Sequence, residues 1–406
     1  MRPIKTLFVT KNSPQPPFAG STQRTAILID VLSTFGKVDL LILGQPEMKP
    51  FLESKGYSVV DTYQPLDTKT SLFSSIIGKR GAQGLRFLAG PDAAYQHDPA
   101  LLKRLKALVS NRGYDLVVGR YFAPSAKAGL FALNGTPCVI DVDDADSRVL
   151  SSRIMSPATN TLLSQFLKPR LNAVKRWERE LLPKASMLWL TNPADGNLTA
   201  TGKSAVISNI PFTIPQRGTL KNSKPDSSIV LWVGSFNHRV NLDGVDHFLN
   251  NTWPNILSRN GSVRFRAVGS HLPEKVRQKW SRYRNVDVVG HADSLEPHYA
   301  EAALSIVPLM DGAGTKIKIL ESLAHLRTCV ATAHSATGYE GLLNDGESIR
   351  VAKNLDDLVE PVCELVADHG KRHRLENAGR DVVEAHFTRE AIRINMADSL
   401  RSIIPE

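Results

Sequence analysis

Leu304-Ser-Ile-Val-Pro-Leu-Met-Asp-Gly-Ala-Gly-Thr-Lys-Ile-Lys-Ile-Leu-Glu321 reads as a strand, a tight loop and the start of a helix. The near-continuous apolar run Leu304–Met310 suits a parallel strand covered on both faces. Gly312, Ala313 and Gly314 are small enough to let a ligand approach the backbone. Thr315 suits the N-cap, and Ile317, Leu320 and Ala324 follow at helical spacing. Lys316 and Lys318 then fall in the first helical turn, at the positive end of the dipole. Cations there are disfavoured by about 0.3 kcal/mol or more. A diphosphate would resolve the conflict, because free backbone N–H groups and two ammonium groups would converge on it. Glu321, one turn on, presents an acceptor-only carboxylate suited to a ribose diol. A solvated helix start, with Lys318 and Glu321 as a weak i,i+3 pair, is the alternative reading of the same residues.

Outward from this stretch the alternation repeats. On the N-terminal side, strands are expected at Ile4–Thr10, Lys37–Leu43, Asp115–Gly119, Pro137–Val142, Ser186–Asn192 and Ala205–Asn209. Amphipathic helices such as Ser21–Phe35 and Leu167–Leu182 lie between them. A second series runs Ile229–Ser235, Val263–Ser270, Val286–Gly290, Leu304–Met310, Thr328–Ala333 and Ser348–Val351. Its helices include Leu242–Leu257, Leu295–Ala303 and Lys316–Leu326, and the chain is mainly helical after Asn354. Two doubly wound α/β domains follow from this pattern. The expected boundaries are 1–210, a Pro-rich linker 211–228, a second domain 229–387, and a C-terminal helix 388–406 packing back toward the first domain. A central cleft between the strand C-termini is where ligands of such sheets bind.

Composition sets the class. The 406 residues are 42% hydrophobic and 22% charged, which fits a globular protein and not a disordered one. Fifty Lys and Arg against 40 Asp and Glu leave a formal charge of +10, an argument for anionic partners. No run of about 18 apolar residues suggests a transmembrane helix. The dispersed Cys138, Cys329 and Cys363 suit a reducing compartment, so a cytoplasmic location is expected.

The segment Val307–Ala324, together with Gly338-Tyr-Glu-Gly-Leu342, resembles the donor-binding region of family 4 glycosyltransferases of the GT-B fold. Trp232-Val-Gly-Ser-Phe236, Asn241-Leu-Asp-Gly-Val245, Phe265-Arg-Ala-Val-Gly269 and Val288-Val-Gly-His291 match that domain's strands in order. In the first half the likeness rests on Gly20, Arg24 and the helix ending at Glu178–Leu182. The resemblance implies a GT-B architecture, two Rossmann-like domains facing the cleft. It further implies a retaining transferase that moves a sugar from a nucleotide diphosphate sugar, UDP- or GDP-linked, to a saccharide or lipid-linked acceptor in cell-surface polysaccharide synthesis. It implies no metal and no cofactor. Donor contacts are expected from Gly234, Ser235, Arg239, His291, Gly312, Ala313, Gly314, Thr315, Lys316, Lys318 and Glu321, with Lys318 and Glu321 in the catalytic set. Gly20, Ser21 and Arg24 are expected to form a loop near phosphate and acceptor. One departure concerns the family's pair of glutamates separated by seven residues, the first of which falls on Ala313.

Asp141-Val-Asp-Asp-Ala-Asp146 could hold a metal, but its flanks match the first domain of the two-domain class. Asp143 or Asp144 is therefore expected at the strand mouth, facing the acceptor as a hydroxyl partner or base. Between Arg153 and Lys184, seven Lys and Arg face two Glu. That flank is either a solvated face or a peripheral contact with anionic lipid at the inner face of the membrane. Lys275 to Arg284, basic with Trp280 and Tyr283 interleaved, reads as a surface helix, and no nucleic-acid partner is expected. Two other functions fit parts of the sequence. One is a nucleotide-sugar epimerase or hydrolase of the same fold. The other is a non-catalytic basic scaffold for membrane or nucleic acid.

Overall fold

The computed structural model describes residues 2–15, 20–64, 92–155, 161–198 and 203–404. The chain divides into two compact units, Met1–Ser208 with Ile392–Glu406, and Asn209–Ala391.

In the first unit the described strands are β1 (Thr6–Thr10), β2 (Val38–Leu43), β3 (Ser58–Tyr63), β4 (Leu116–Arg120), β5 (Cys138–Asp143), β6 (Met187–Leu190) and β7 (Ser204–Val206). They form a parallel sheet in the order β3-β2-β1-β4-β5-β6-β7. The central strands β1, β4, β5 and β6 are buried along their whole length, as their apolar runs require. β3 was not expected from sequence. It is an edge strand, and Asp61-Thr62-Tyr63 breaks the apolar run that marks the inner strands. The helices used below are α1 (Gly20–Ser33), α2 (Asp146–Met155) and α3 (Thr161–Leu181).

The second unit holds β8 (Ile229–Val233), β9 (Arg264–Val268), β10 (Val286–Gly290), β11 (Leu304–Val307), β12 (Cys329–Thr332) and β13 (Arg350–Ala352). They are parallel, in the order β10-β9-β8-β11-β12-β13. Its helices include α4 (Arg239–His247), α5 (Ile317–Ala324), α6 (Ala333–Ala336) and α7 (His369–His386), and α8 (Arg389–Arg401) follows.

Three expectations are corrected here. β11 stops at Val307 because Pro308 has no N–H to continue the ladder. The single helix expected over Leu242–Leu257 is α4, a wide turn at Phe248–Thr252 and a further helix Trp253–Arg259. Pro254 cannot donate to the carbonyl one turn back, and the widened turn accommodates that loss. The stretch 211–228 is not a free linker, because α7 straps it down. Arg372, fully buried, donates to the carbonyls of Lys224 and Pro225 and to Ser223 Oγ. Arg380 reaches Pro215 O at 2.8 Å, and Arg217 pairs with Asp381 and Glu384.

Candidate functional site

The loop between β11 and α5 is built from the inside. Asp311 Oδ1 accepts from Gly312 N at 2.6 Å. Gly312 and Gly314 take left-handed conformations, φ +98° and +78°, that an L side chain adopts only at a cost. The loop then wraps around Lys316, whose ammonium donates to Gly312 O at 2.8 Å, Ala313 O at 2.9 Å and Gly314 O at 2.6 Å. His334, on α6, also bonds Gly312 O, at 2.9 Å.

In a planar trans peptide the C=O and the following N–H point opposite ways. Three carbonyls turned onto Lys316 therefore turn the N–H groups of Ala313, Gly314 and Thr315 away from it. None of the three has an acceptor among the described residues. The result is a run of donors on one face of the loop, beside the N-terminus of α5, which is the arrangement that holds anions.

Two expectations change with this geometry. Thr315 does not cap the helix. α5 begins at Ile317, Lys316 occupies the cap position without a side-chain cap bond, and Thr315 Oγ1 accepts from Asn209 at 3.2 Å. Nor does Lys316 extend toward a ligand. It is 8% exposed, and its ammonium is committed to the loop carbonyls.

Lys318 lies apart from those carbonyls. Its ammonium lies 4.2 Å from the centre of the Trp232 ring and 2.8 Å from Asn241 Oδ1. Asn241 is fixed in turn by donating to Ser235 O at 2.6 Å. Gly234 makes room for the group, since a Cβ there would sit 3.2 Å from both Lys318 Nζ and Trp232. Glu321 follows one turn later on the same helix. Its carboxylate has no hydrogen bond or ion pair among the described residues. Surface exposure of Lys318 and Glu321 is intermediate, yet their ionisable groups are enclosed enough to shift strongly. Burial pushes Glu321 up to about 7, with Lys318 opposing the rise. Burial pulls Lys318 down to about 7 against the pull of Glu321. Trp232 Nε1 is a further buried group without a partner among the described residues.

The remaining donor candidates are more dispersed. Ser235 Oγ lies 3.4 Å from Asn237 N and from Ser270 Oγ. Arg239 opens α4, exposed, in an i,i+4 pair with Asp243. His291 follows β10, two strands from β8, and is exposed beside Asp293.

In the first unit Gly20 and Ser21 open α1. Arg24 does not belong to an open phosphate loop, however. It is 4% exposed and turned inward, bonding Asp141 at 2.6 and 3.2 Å and Ser208 O at 3.3 Å. A residue missed in the sequence completes the cluster. Arg120, at the end of β4 and fully buried, bonds Asp141 at 2.6 Å and Asp143 at 2.8 Å. Burial works to lower its pKa, and the Asp143 and Asp141 carboxylates more than offset that, holding it above its ordinary value. Its guanidinium stacks 3.8 Å from the Tyr121 ring and donates to Tyr121 Oη. The one signal in the sequence was an arginine closing an otherwise apolar strand.

Tyr121 and Asp143 both have positive φ, +67° and +60°, at the ends of neighbouring strands. Strain of this kind persists where the surroundings over-determine it, and it concentrates at functional sites. Thr191 adds a bond to Asp143 O at 2.9 Å. Asp144 is half-buried beside them. A divalent cation at Asp141 and Asp143 would have to displace guanidinium groups already seated there.

Comparison with known proteins bears on the fold and on the second unit. Residues 227–368 match the family described as Glycosyl transferases group 1. The whole chain superposes on solved structures of low identity. One is sucrose-phosphate synthase from Thermosynechococcus elongatus, with TM-score 0.68, 17% identity and 98% of both chains covered. Another is Alr3699/HepE from Anabaena in complex with UDP and glucose, with TM-score 0.63, 16% identity, and 98% of this chain and 100% of that one covered. A glycosyltransferase from Rickettsia africae gives 0.66 at 11% identity over the full length of both. The fold is therefore GT-B. A curated relative, an uncharacterized 44.6 kDa protein in the cps region of Klebsiella pneumoniae, is 26% identical over 155 residues. That match spans 36% of this chain and 39% of the relative.

Proposed function

We propose that this GT-B protein, with its region similar to group 1 glycosyl transferases, moves a sugar from a nucleotide diphosphate sugar to a saccharide or lipid-linked hydroxyl. One observation carries the reading: outward N–H groups at Ala313–Thr315 lie just ahead of a helix that also presents Lys318 and Glu321, whose carboxylate is unpartnered among the described residues. Donors and a cation suit the diphosphate, and the lone carboxylate suits the ribose hydroxyls. UDP is the first nucleotide to test, because HepE was solved with UDP.

In the reaction the anomeric C–O bond to the diphosphate breaks, an acceptor oxygen takes its place, and the hydroxyl proton passes to the carboxylate of Asp143 or Asp144. Lys318 and the loop N–H groups stabilise the negative charge growing on the leaving diphosphate, so the mechanism calls for no metal. Retention of configuration rests on the family likeness. Asp143, held by Arg120, is the acceptor-side carboxylate of this scheme, with Asp144 beside it. The cps-region relative supports surface-polysaccharide synthesis as the setting. α2 and α3 support a peripheral contact with anionic membrane. Met155 and Phe166 are exposed along them, as are Lys168, Lys175, Arg176 and Arg179.

Calorimetric titration with UDP, GDP and ADP tests the donor site on wild type and Glu321→Ala. Micromolar binding of one nucleotide, weakened about tenfold or more by the substitution, is the expected result. A folded protein that binds none of the three leaves the basic scaffold as the better reading. Transfer to added acceptor, as opposed to isomerisation of free donor, separates transferase from epimerase.

A further inference from the structure

The two lysines of Thr315-Lys-Ile-Lys318 look equivalent in sequence and lie in different places. Lys318 faces Trp232 and Asn241. Lys316 is interior, its ammonium ringed by three successive carbonyls at 2.6 to 2.9 Å. An ammonium has three protons and no acceptor, so three carbonyls satisfy it. We infer that Lys316 is a positioning residue. It acts as an internal cation that fixes the Gly312–Gly314 peptides with carbonyls inward, so that the N–H groups of Ala313, Gly314 and Thr315 hold the donor's diphosphate. The inference rests on the nucleotide-sugar reading above and adds to it a division of labour between the lysines.

Three observations point the same way. Lys316 is 8% exposed, and an isolated buried ammonium is costly, so these carbonyls are what make its burial tolerable. His334 also bonds Gly312 O, at 2.9 Å, a second hold on the first of the three peptide planes. Gly312 and Gly314 supply the positive φ values the inverted path demands. Without the ammonium, three carbonyls would crowd around an empty centre. The peptides would rotate to find water, and the N–H groups would lose their common direction. A lysine that touched phosphate directly would leave the loop path unchanged when removed.

The test compares wild type, Lys316→Met, Lys316→Arg and Lys318→Met. Ammonium-detected NMR on wild type, assigned by the loss of one signal in Lys316→Arg, reads the clamp without any ligand. The expected result is a slowly exchanging Lys316 signal in the free protein that barely moves on addition of UDP. Lys316→Met is expected to weaken UDP and inorganic pyrophosphate about tenfold or more, and to leave any uridine binding unchanged. Lys316→Arg recovers part of that loss. Lys318→Met is expected to lower kcat more than it weakens UDP. A Lys316 signal visible only with UDP bound overturns the inference, as does a folded Lys316→Met that binds UDP like wild type. A wild type that shows the signal yet binds neither UDP nor pyrophosphate overturns the nucleotide reading and its loop function together. In that case the clamp remains only as a structural feature.

Discussion

At the scale of single residues, Glu321 and Lys318 are the groups whose chemistry differs most from that of the free side chains. In the donor site proposed above, nucleotide binding needs Glu321 ionised to accept from hydroxyls and Lys318 protonated to meet a diphosphate. Burial raises the first and lowers the second, each to about 7. Affinity for UDP is therefore expected to fall on both sides of neutral pH. It falls in acid as Glu321 takes up a proton, and in base as Lys318 gives one up. Ordinary values of 4.5 and 10.5 would leave a broad plateau instead, and calorimetry across pH distinguishes the two shapes.

The same shifts bear on stability. Glu321, with a raised pKa, contributes stability below about 4.5 that is lost as pH rises through about 7. Lys318, with a lowered pKa, contributes stability above about 10.5 that is lost as pH falls through about 7. Near pH 8 the protein thus bears the cost of an ionised carboxylate with no hydrogen-bond partner among the described residues. Glu321→Gln is expected to raise Tm there by about 2 °C or more, with no gain near pH 4, while abolishing UDP binding. A lowered Tm at pH 8 would show that the carboxylate stabilises the fold. Arg120 is the residue that reading the sequence passed over. Its role depends on Asp141 and Asp143 lying across the sheet from it, a neighbourhood that local pattern does not encode.

At the scale of elements, the ends of neighbouring strands lie so close that side chains have no room. Gly234 N bonds Val268 O, and Gly269 N bonds Gly290 O, so β8, β9 and β10 are tied together just past their last residues. A Cβ at Gly269 would lie 1.8 Å from Gly234 O, whereas one at Gly20 would meet nothing within 4 Å. Gly269→Ala is expected to destabilise by about 3 kcal/mol or more, because backbone must move. Gly20→Ala should change stability by about 0.5 kcal/mol or less. Urea midpoints measure both, and similar midpoints would refute the close approach. Apart from the edge strand β3, strand identities were readable from apolar runs, but their ends were not. Pro308 and Pro254 mark the places where a missing N–H ended or widened an element that hydrophobicity alone would have carried on.

At the scale of the whole molecule, the surplus of Lys and Arg gives a net charge of +10. Part of it lies along α3, where Lys168, Lys175, Arg176 and Arg179 are exposed, as is Phe166, at 70%. The protein is expected to sediment with vesicles containing anionic lipid at low ionic strength, and to release them as salt screens the charge. Lys175→Glu with Arg179→Glu should remove most of that binding. Binding equal on neutral vesicles, or untouched by both changes, would rule out an electrostatic contact. The chain also returns on itself. Residues from Ile392 belong to the first compact unit, where Ser399 Oγ accepts from the buried Trp189 indole at 3.0 Å.

The sequence by itself determined the two parallel α/β sheets, the glycine loop and the placing of Lys318 and Glu321 one turn apart on the helix that follows it. These depend on residues close together in the chain, where periodicity and spacing constrain geometry directly. The tertiary structure decided that Lys316 turns inward while Lys318 does not. It decided that Arg24 and Arg120 neutralise Asp141 and Asp143, and that 211–228 is strapped to α7. Each of these turns on which distant carbonyl, carboxylate or ring meets a long charged side chain. Only the folded arrangement brings those partners within bonding distance.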